Sequence, residues 1–521
     1  MFAQRKFIPI LLSILSGVLL TASFESHYFF LSYVSLIPFL FALEKSSLWG
    51  KIKYGFAFGI THFITLCYWI TWVISHYGGL NIFMSTLAFI GVVVYLSIYP
   101  LTFVLICHYT EKTKIGFLIP PFAWVTSEFL RATIFTGFPW CLLGYTQVAK
   151  PVLAQVADLG GVYLLSFLLF CINYGLYIAL SPKFKLVFKV SSIAICGFLI
   201  GFQFAYGVHK LNEHLPYMKN LKVAIIQPNI PQALKWDKEY KLATTQKLID
   251  MTESVTKFKP HIIIWPETAL PFFFQEDSEL KKMVVEGLNN TGSVFIFGSP
   301  AYEKTPQKTH YFNRLYVYNT VDSKLYYYDK LRLVPFGEYI PIGFLAPLVE
   351  KIVGELGEFS KGKMPNVVGI NGINIGLLIC YESIFPYLSD MAKAKQAEII
   401  VNCTNDAWFG HSSAPYQHFN MAILRAIENR TSMIRAANTG ISGVIDEKGI
   451  VRLKSDIFVE DVLITELNIK TSGPTIYNKW GKYFPFYVTL ITLLFFAMCL
   501  CLSFFDSMIH KKEYRHHHTG K

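Results

Sequence analysis

Three residues of this 521-residue chain stand where acyl-transfer chemistry would need them: Cys380 ends the apolar run INIGLLIC, Glu267 follows another in IIIWPETALP, and Lys330 lies in YYYDKLRLVPFGEYIP. A thiol is a candidate nucleophile, a carboxylate can take its proton, and an ammonium can steady the oxyanion of a tetrahedral intermediate. Cys380 ends an expected strand and precedes an expected helix. Its thiol would then lie near a helix N-terminus, where its pKa is expected to fall. Inert core filling is the competing reading for a lone buried cysteine. Of nine cysteines, only Cys380 and Cys403 fall in the polar region of the chain. Both close apolar runs, so a disulfide between them is the minor reading.

The elements that must position these residues begin at Leu221. LKVAIIQ (221–227), HIIIW (261–265), SVFIFG (293–298), RLYVYN (314–319), INIGLLIC (373–380) and EIIVNC (398–403) read as strands of sheets covered on both faces. Helices are expected over 236–258, 278–289, 385–395 and 415–430. The alternation predicts an α/β domain of αββα layers over residues 215–475. The chain shows no internal repeat and no Gly-rich phosphate loop. With no credible metal-ligand spacing, no cofactor is expected.

The rest of the chain reads as membrane. Hydrophobic residues make up 53% and charged residues only 16%, and the mean hydropathy is +0.39, against roughly a quarter charged in ordinary globular chains. Apolar stretches long enough to span recur at 7–23, 28–44, 54–75, 81–107, 115–131, 159–181, 186–208 and 484–505, seven before the polar region and one after it. Lys and Arg alternate between connectors: Arg5 and Lys6, Lys45, Lys51 and Lys53, Lys112 and Lys114, Lys183 and Lys185, then Lys511, Lys512 and Arg515 mark one side. The connectors at 25–27 and 75–80 lack them, which predicts both termini inside and the polar domain outside. The first stretch also suits a cleavable secretory signal, without changing that orientation. A net charge of +12 is explained by these inner loops, and nucleic acid is not an expected partner. His516, His517 and His518 read as a solvated tract. Glu128 and Arg131, three apart near a span end, would brace the fold or bind a polar head group. Phe138, Pro139 and Trp140 follow as an interfacial turn.

Taken in order, WPE, K-x-x-L-x-P-F-G-E and C-Y-E resemble the Glu-Lys-Cys pattern of the nitrilase superfamily. With the spans, TGFPW (136–140), NIPQALKW (229–236), NCTNDAWFG (402–410), RAIENR (425–430) and RAANTGIS (435–442), nearly the whole chain resembles the apolipoprotein N-acyltransferase family. That resemblance implies Glu267 as general base, Lys330 as oxyanion stabiliser and Cys380 as acyl-accepting nucleophile. It implies Glu338 as a carboxylate that positions Lys330 or the incoming amine, Tyr381 and Glu382 as neighbours of the nucleophile, and Trp236 near the substrate entrance. Trp236 reads equally as a helix-start aromatic, and Tyr381 and Glu382 as residues that only orient the turn. Asn402 and Asp406 would shape a turn beside the pocket.

The implied reaction moves an acyl chain from a phospholipid, commonly phosphatidylethanolamine, through a Cys thioester to the α-amine of a lipoprotein's diacylglyceryl-cysteine. The implied setting is a bacterial inner membrane, with a transmembrane part over 1–210, a periplasmic catalytic domain, a last helix over 484–506 and a cytoplasmic tail over 507–521. The chain is expected to act as a monomer. Pro271 to Phe274 and Ile340 to Val353, next to the proposed base and lysine, read as membrane-facing lids or as buried core. A membrane-tethered hydrolase with water as acceptor is the rival activity, and a ligand-binding transporter or receptor the rival class.

Overall fold

The computed structural model describes residues 2–518 apart from 234, 236, 290, 342–357, 364–365 and 471–472, with backbone alone for 2–6, 238 and 503–518. Helices dominate up to residue 212: α1 (Phe2–Ala22), α2 (Ile37–Leu43), α3 (Leu48–Leu66), α4 (Trp69–Tyr77), α5 (Ile82–Thr110), α6 (Ile119–Thr133), α7 (Ala157–Leu180) and α8 (Leu186–Asn212). Side-chain caps start two of them, Ser47 accepting from the Gly50 N–H and Asn81 from the Met84 N–H. Each of the eight expected stretches contains helix. Only four helices among the described residues are long and apolar enough to cross a membrane, namely α5, α7, α8 and the segment Gly481–Leu502. The pair α3 and α4, bent by 56°, makes a fifth if it is one span.

Two of the missing spans have local causes. Residues 28–44 are split into a 3-10 turn, Phe29–Tyr33, and α2, with Pro38 in its first turn. In 115–131 helix α6 begins only at Ile119, ahead of Pro120 and Pro121, and runs for 15 residues. Glu128 and Arg131 do not pair with each other. Glu128 Oε1 accepts from the Leu143 N–H at 2.8 Å, and Arg131 Nη1 donates to the Trp140 carbonyl at 3.0 Å. Both therefore brace the turn that contains Phe138, Pro139 and Trp140, which is the first of the two roles expected of them.

From Tyr217 the chain forms two six-stranded sheets. The first holds β1 (Tyr217–Gln227), β2 (Ile262–Ile264), β3 (Val294–Lys304), β4 (Thr309–Asn319), β5 (Lys324–Asp329) and the late strand β12 (Asp461–Lys470). The second holds β6 (Val367–Ile370), β7 (Ile373–Ile379), β8 (Ile399–Thr404), β9 (Ser432–Ala437), β10 (Gly443–Ile445) and β11 (Val451–Lys454). Their orders are β12-β1-β2-β3-β4-β5 and β11-β10-β9-β8-β7-β6. The centres, β1-β2-β3 and β7-β8-β9, are parallel.

Side-chain alternation builds the layers. Val223 and Ile225 of β1 join the core shared with Ile375, Leu377 and Val401, whereas Ala224 and Ile226 pack with Leu248 of α9 (Lys238–Glu253) and Val284 of α10 (Glu279–Asn289). Each fully buried Ile or Leu there stabilises the fold by roughly 1.5–3 kcal/mol. Helices α11 (Pro386–Ala394) and α12 (Ala414–Asn429) cover the second sheet. The expected αββα layering is thus present, and every strand read from the sequence exists.

Helix α12 also packs against α7. There α7 is broken at Gly160 and Gly161, with Gly161 at φ +67°, and the freed Val162 N–H donates to Glu428 Oε1 of α12 at 3.1 Å. A side chain at Gly161 would collide with the Tyr477 ring at 2.8 Å. Arg425 pairs with Glu428 at 2.9 Å and Arg430 with Asp158 at 2.7 Å, all buried. The helix α13 (Phe484–His518) closes the chain.

Candidate active site

Lys330 leaves β5 fully buried, with its Nζ 2.9 Å from Glu338 Oε1 and 3.3 Å from Glu267 Oε1. Burial works to lower its pKa, but the Glu267 and Glu338 carboxylates outweigh it and hold the ammonium above its usual range. Asn313 of β4 donates from Nδ2 to both carboxylates, at 2.7 Å to Glu267 and 2.8 Å to Glu338, and its carbonyl accepts from the Lys330 N–H at 2.9 Å. Glu338 Oε2 in turn accepts from the Val334 N–H at 2.8 Å, closing the 330–338 loop on itself. Glu267 follows β2 on a turn where Thr268 has φ +48°. This turn lies so close to β3 that a Cβ on Gly298 would come within 2.1 Å of the Thr268 nitrogen.

Cys380 follows β7 at the start of a 3-10 turn, Cys380–Ile384, with φ +51°, a left-handed conformation uncommon outside glycine. Glu382 holds that turn. Its Oε1 accepts from the N–H groups of Leu331 at 2.6 Å and Arg332 at 3.0 Å, its Oε2 from Ile379 N–H at 2.7 Å, and Tyr328 OH lies 2.9 Å from both oxygens. One carboxylate therefore ties the lysine loop to the cysteine turn. Burial pushes Glu382 up to about 7 against the pull of these N–H groups. Tyr381 OH donates to the Gly137 carbonyl at 3.4 Å, linking the same turn to the membrane part.

The thiol does not have the lowered pKa expected from a helix N-terminus. Burial and the Glu267 carboxylate push Cys380 up, against Lys330 and a hydrogen bond with Thr404. A single turn of 3-10 helix offers little opposing field, and desolvation of an anion is the larger effect. Glu267, Lys330, Glu338, Cys380, Tyr381 and Glu382 lie in one buried cluster, while Trp236 lies outside the described residues. Of the two candidate lids, Phe274 is core and Phe272 packs against that core, so burial rather than a lid describes 271–274. Of Ile340 to Val353, residues 342–353 lie outside the described residues.

Four further residues at the site escaped the sequence reading. Asn313, which bridges the Glu267 and Glu338 carboxylates, is the first. His418, from α12, places Nε2 3.2 Å from the Cys380 carbonyl and Nδ1 3.0 Å from Asp406 Oδ1. Arg435 pairs with Asp406 at 2.8 Å and donates to Asn402 Oδ1 at 2.5 Å. Burial opposes the Asp406 charge, but Arg435 and His418 hold that carboxyl well below the usual range, and burial with Arg435 holds His418 low. Asn402 Nδ2 donates to the Cys380 carbonyl at 3.3 Å, so this buried network supports the Cys380 turn from behind. The quoted RAANTGIS stretch contains Arg435, but nothing in its spacing points to Asp406.

Lys235 is the fourth. It is buried, and its Nζ donates to the Glu267 carbonyl at 3.4 Å. Burial pushes its pKa from 10.5 down to about 8, with Glu267 drawing it partly back up. A folded-state value below the unfolded one means that the burial penalty is fully present below about 8 and fades as pH rises toward 10.5. Lys235→Met is therefore expected to raise the melting temperature in detergent near pH 7, by up to ~3 kcal/mol of stability, with a smaller gain near pH 10. A lower melting temperature than wild type near pH 7 would contradict this.

Comparison with known proteins places these residues in context. The family model described as apolipoprotein N-acyltransferase N-terminal domain matches residues 16–175, and that of carbon-nitrogen hydrolase matches 222–477. A Geobacter metallireducens protein named apolipoprotein N-acyltransferase is 36% identical over 481 residues, 91% of this chain and 92% of that one. A Rickettsia typhi protein of the same name is 32% identical over 511 residues, 96% of this chain and 100% of that one. Among solved structures, a Saccharomyces cerevisiae member of the nitrilase superfamily aligns at 18% identity and TM-score 0.38, covering 48% of this chain and 91% of its own.

Proposed function

The chain belongs to the apolipoprotein N-acyltransferase family, and from that premise we propose that Glu267, Lys330 and Cys380 carry a two-step acyl transfer between lipids. As Cys380 Sγ attacks the ester carbonyl of a phospholipid, its proton passes to Glu267. The oxyanion gathers beside Lys330, and collapse expels the glycerol oxygen, which takes the proton from Glu267. Lysophospholipid leaves and an acyl thioester remains. The α-amine of a lipoprotein's diacylglyceryl-cysteine then attacks the thioester and gives its proton to Glu267. Cys380 departs as thiolate and recovers that proton, leaving an amide on the product.

The observation that carries this reading is the Lys330 ammonium, held between two carboxylates on the loop that Glu382 straps to the Cys380 turn. Glu338 positions Lys330, and Glu382 and Tyr381 fix the turn. We place 1–210 and 484–506 in the inner membrane as eight spans, 215–475 in the periplasm and both termini, with the 507–521 tail, in the cytoplasm. The donor is phosphatidylethanolamine and the enzyme works as a monomer.

The test supplies phosphatidylethanolamine and a diacylglyceryl-cysteine peptide to the purified protein in detergent and follows the peptide by mass spectrometry. An N-acylated peptide with stoichiometric lysophospholipid is the expected result. Free fatty acid with unmodified peptide would instead identify a hydrolase.

A further inference from the structure

Two residues beyond Lys330, Arg332 is a cation without a carboxylate partner among the described residues. Its backbone N–H is held by Glu382 at 3.0 Å, so its position is locked to that of the Cys380 turn. Its guanidinium stacks on the Phe385 ring, 4.8 Å from the centroid, and its Nε is buried without a hydrogen-bond partner. Its charge acts on the phenols of Tyr339, Tyr381 and Tyr387. The Phe385 ring lies 5.1 Å from that of Tyr381 and 6.1 Å from that of Tyr387.

This half-buried arginine differs from the buried arginines of the domain. Arg314 pairs with Asp329, Arg425 with Glu428, Arg430 with Asp158 and Arg435 with Asp406. A guanidinium stacked on a ring, with unused donors and hydroxyls nearby, suits a planar or tetrahedral oxyanion. Tyr381, whose ring lies against Phe385, reaches the Gly137 carbonyl of the membrane part through its OH. In a glycerophospholipid the phosphodiester is joined through the glycerol to the ester that Cys380 would attack, so the two sites must lie side by side.

We propose that Arg332, with the hydroxyls of Tyr339 and Tyr387, binds the phosphodiester of the acyl donor and thereby selects phospholipids over neutral acyl esters. The inference rests on the acyl-transfer reading above. The experiment compares thioester formation on wild type, Arg332→Gln and Arg332→Lys by intact-protein mass, using phosphatidylethanolamine, diacylglycerol, diacylglycerol with inorganic phosphate, and p-nitrophenyl palmitate.

Arg332→Gln is expected to lose roughly 10- to 100-fold in acylation rate at subsaturating phosphatidylethanolamine, the effect of one charge-assisted contact, while its rate with p-nitrophenyl palmitate stays at the wild-type value. Arg332→Lys should recover part of the loss. Equal losses with both donors would mark Arg332 as structural, and no loss with phosphatidylethanolamine would likewise overturn the assignment. Wild type acylated by diacylglycerol plus inorganic phosphate as fast as by phospholipid would place a free ion rather than a lipid in the site. If wild type forms no thioester with any donor, it is the acyl-transfer reading that fails.

Discussion

Cys380→Ser is expected to leave the protein folded and to abolish acylation, with a loss of about 10^4-fold or more in lysophospholipid release and no added acyl mass on the protein. The substitution keeps the shape of a buried side chain and its hydrogen bond toward Thr404, so the turn at φ +51° is retained. What it removes is a proton that Glu267 can take, because a serine hydroxyl is far less acidic than a thiol. The resting thiol is itself pushed up by burial and by Glu267, so deprotonation belongs to the attack on substrate rather than to the free enzyme. Wild type should therefore react slowly with iodoacetamide near pH 7 even though acylation is expected to require Cys380. Rapid alkylation of Cys380 at that pH would show a preformed thiolate and refute this account.

Glu382→Gln should destabilise the protein by about 3 kcal/mol and slow acylation with every donor, even though Glu382 lies behind the reacting atoms. The carboxylate accepts from three backbone N–H groups and from Tyr328 OH. An amide of the same shape turns one acceptor oxygen into an NH2, which must face either the Ile379 N–H or the pair from Leu331 and Arg332. A buried donor is then left facing a donor, the lysine loop separates from the cysteine turn, and both melting temperature and acylation fall. The melting temperature and the thioester assay read the two effects separately. An unchanged value for both would mean that the strap is dispensable.

The cluster of Glu267, Lys330 and Cys380 was legible because each closes or follows an apolar run, and strand ends in α/β layers gather at one edge. Its surroundings were not legible, since they are made by contacts between distant segments. Glu382 reads as a mere neighbour of Cys380 until β5 brings Leu331 and Arg332 to it. Lys235 sits just ahead of the helix expected from 236 and His418 within that expected over 415–430, where nothing local says that they will be buried. The thiol expectation failed for the same reason: chain position shows the helix start but not the desolvation. In the membrane part, each expected apolar stretch contains helix, but Pro120, Pro121 and the turn at Phe29–Tyr33 shortened two of the eight.

Helix α12 touches the Cys380 carbonyl through His418 and caps the broken α7 through Glu428, points separated by about 15 Å of helix. Excision of the catalytic half as a water-soluble fragment would strip Tyr145 from Arg425, Asp158 from Arg430 and the Val162 N–H from Glu428. The severed face would carry to the surface charges that are buried in the intact protein, on the very helix that backs the Cys380 turn. Anyone seeking a soluble surrogate for inhibitor screening must therefore rebuild that face, or keep at least α7 and the Phe138 to Tyr145 turn with it.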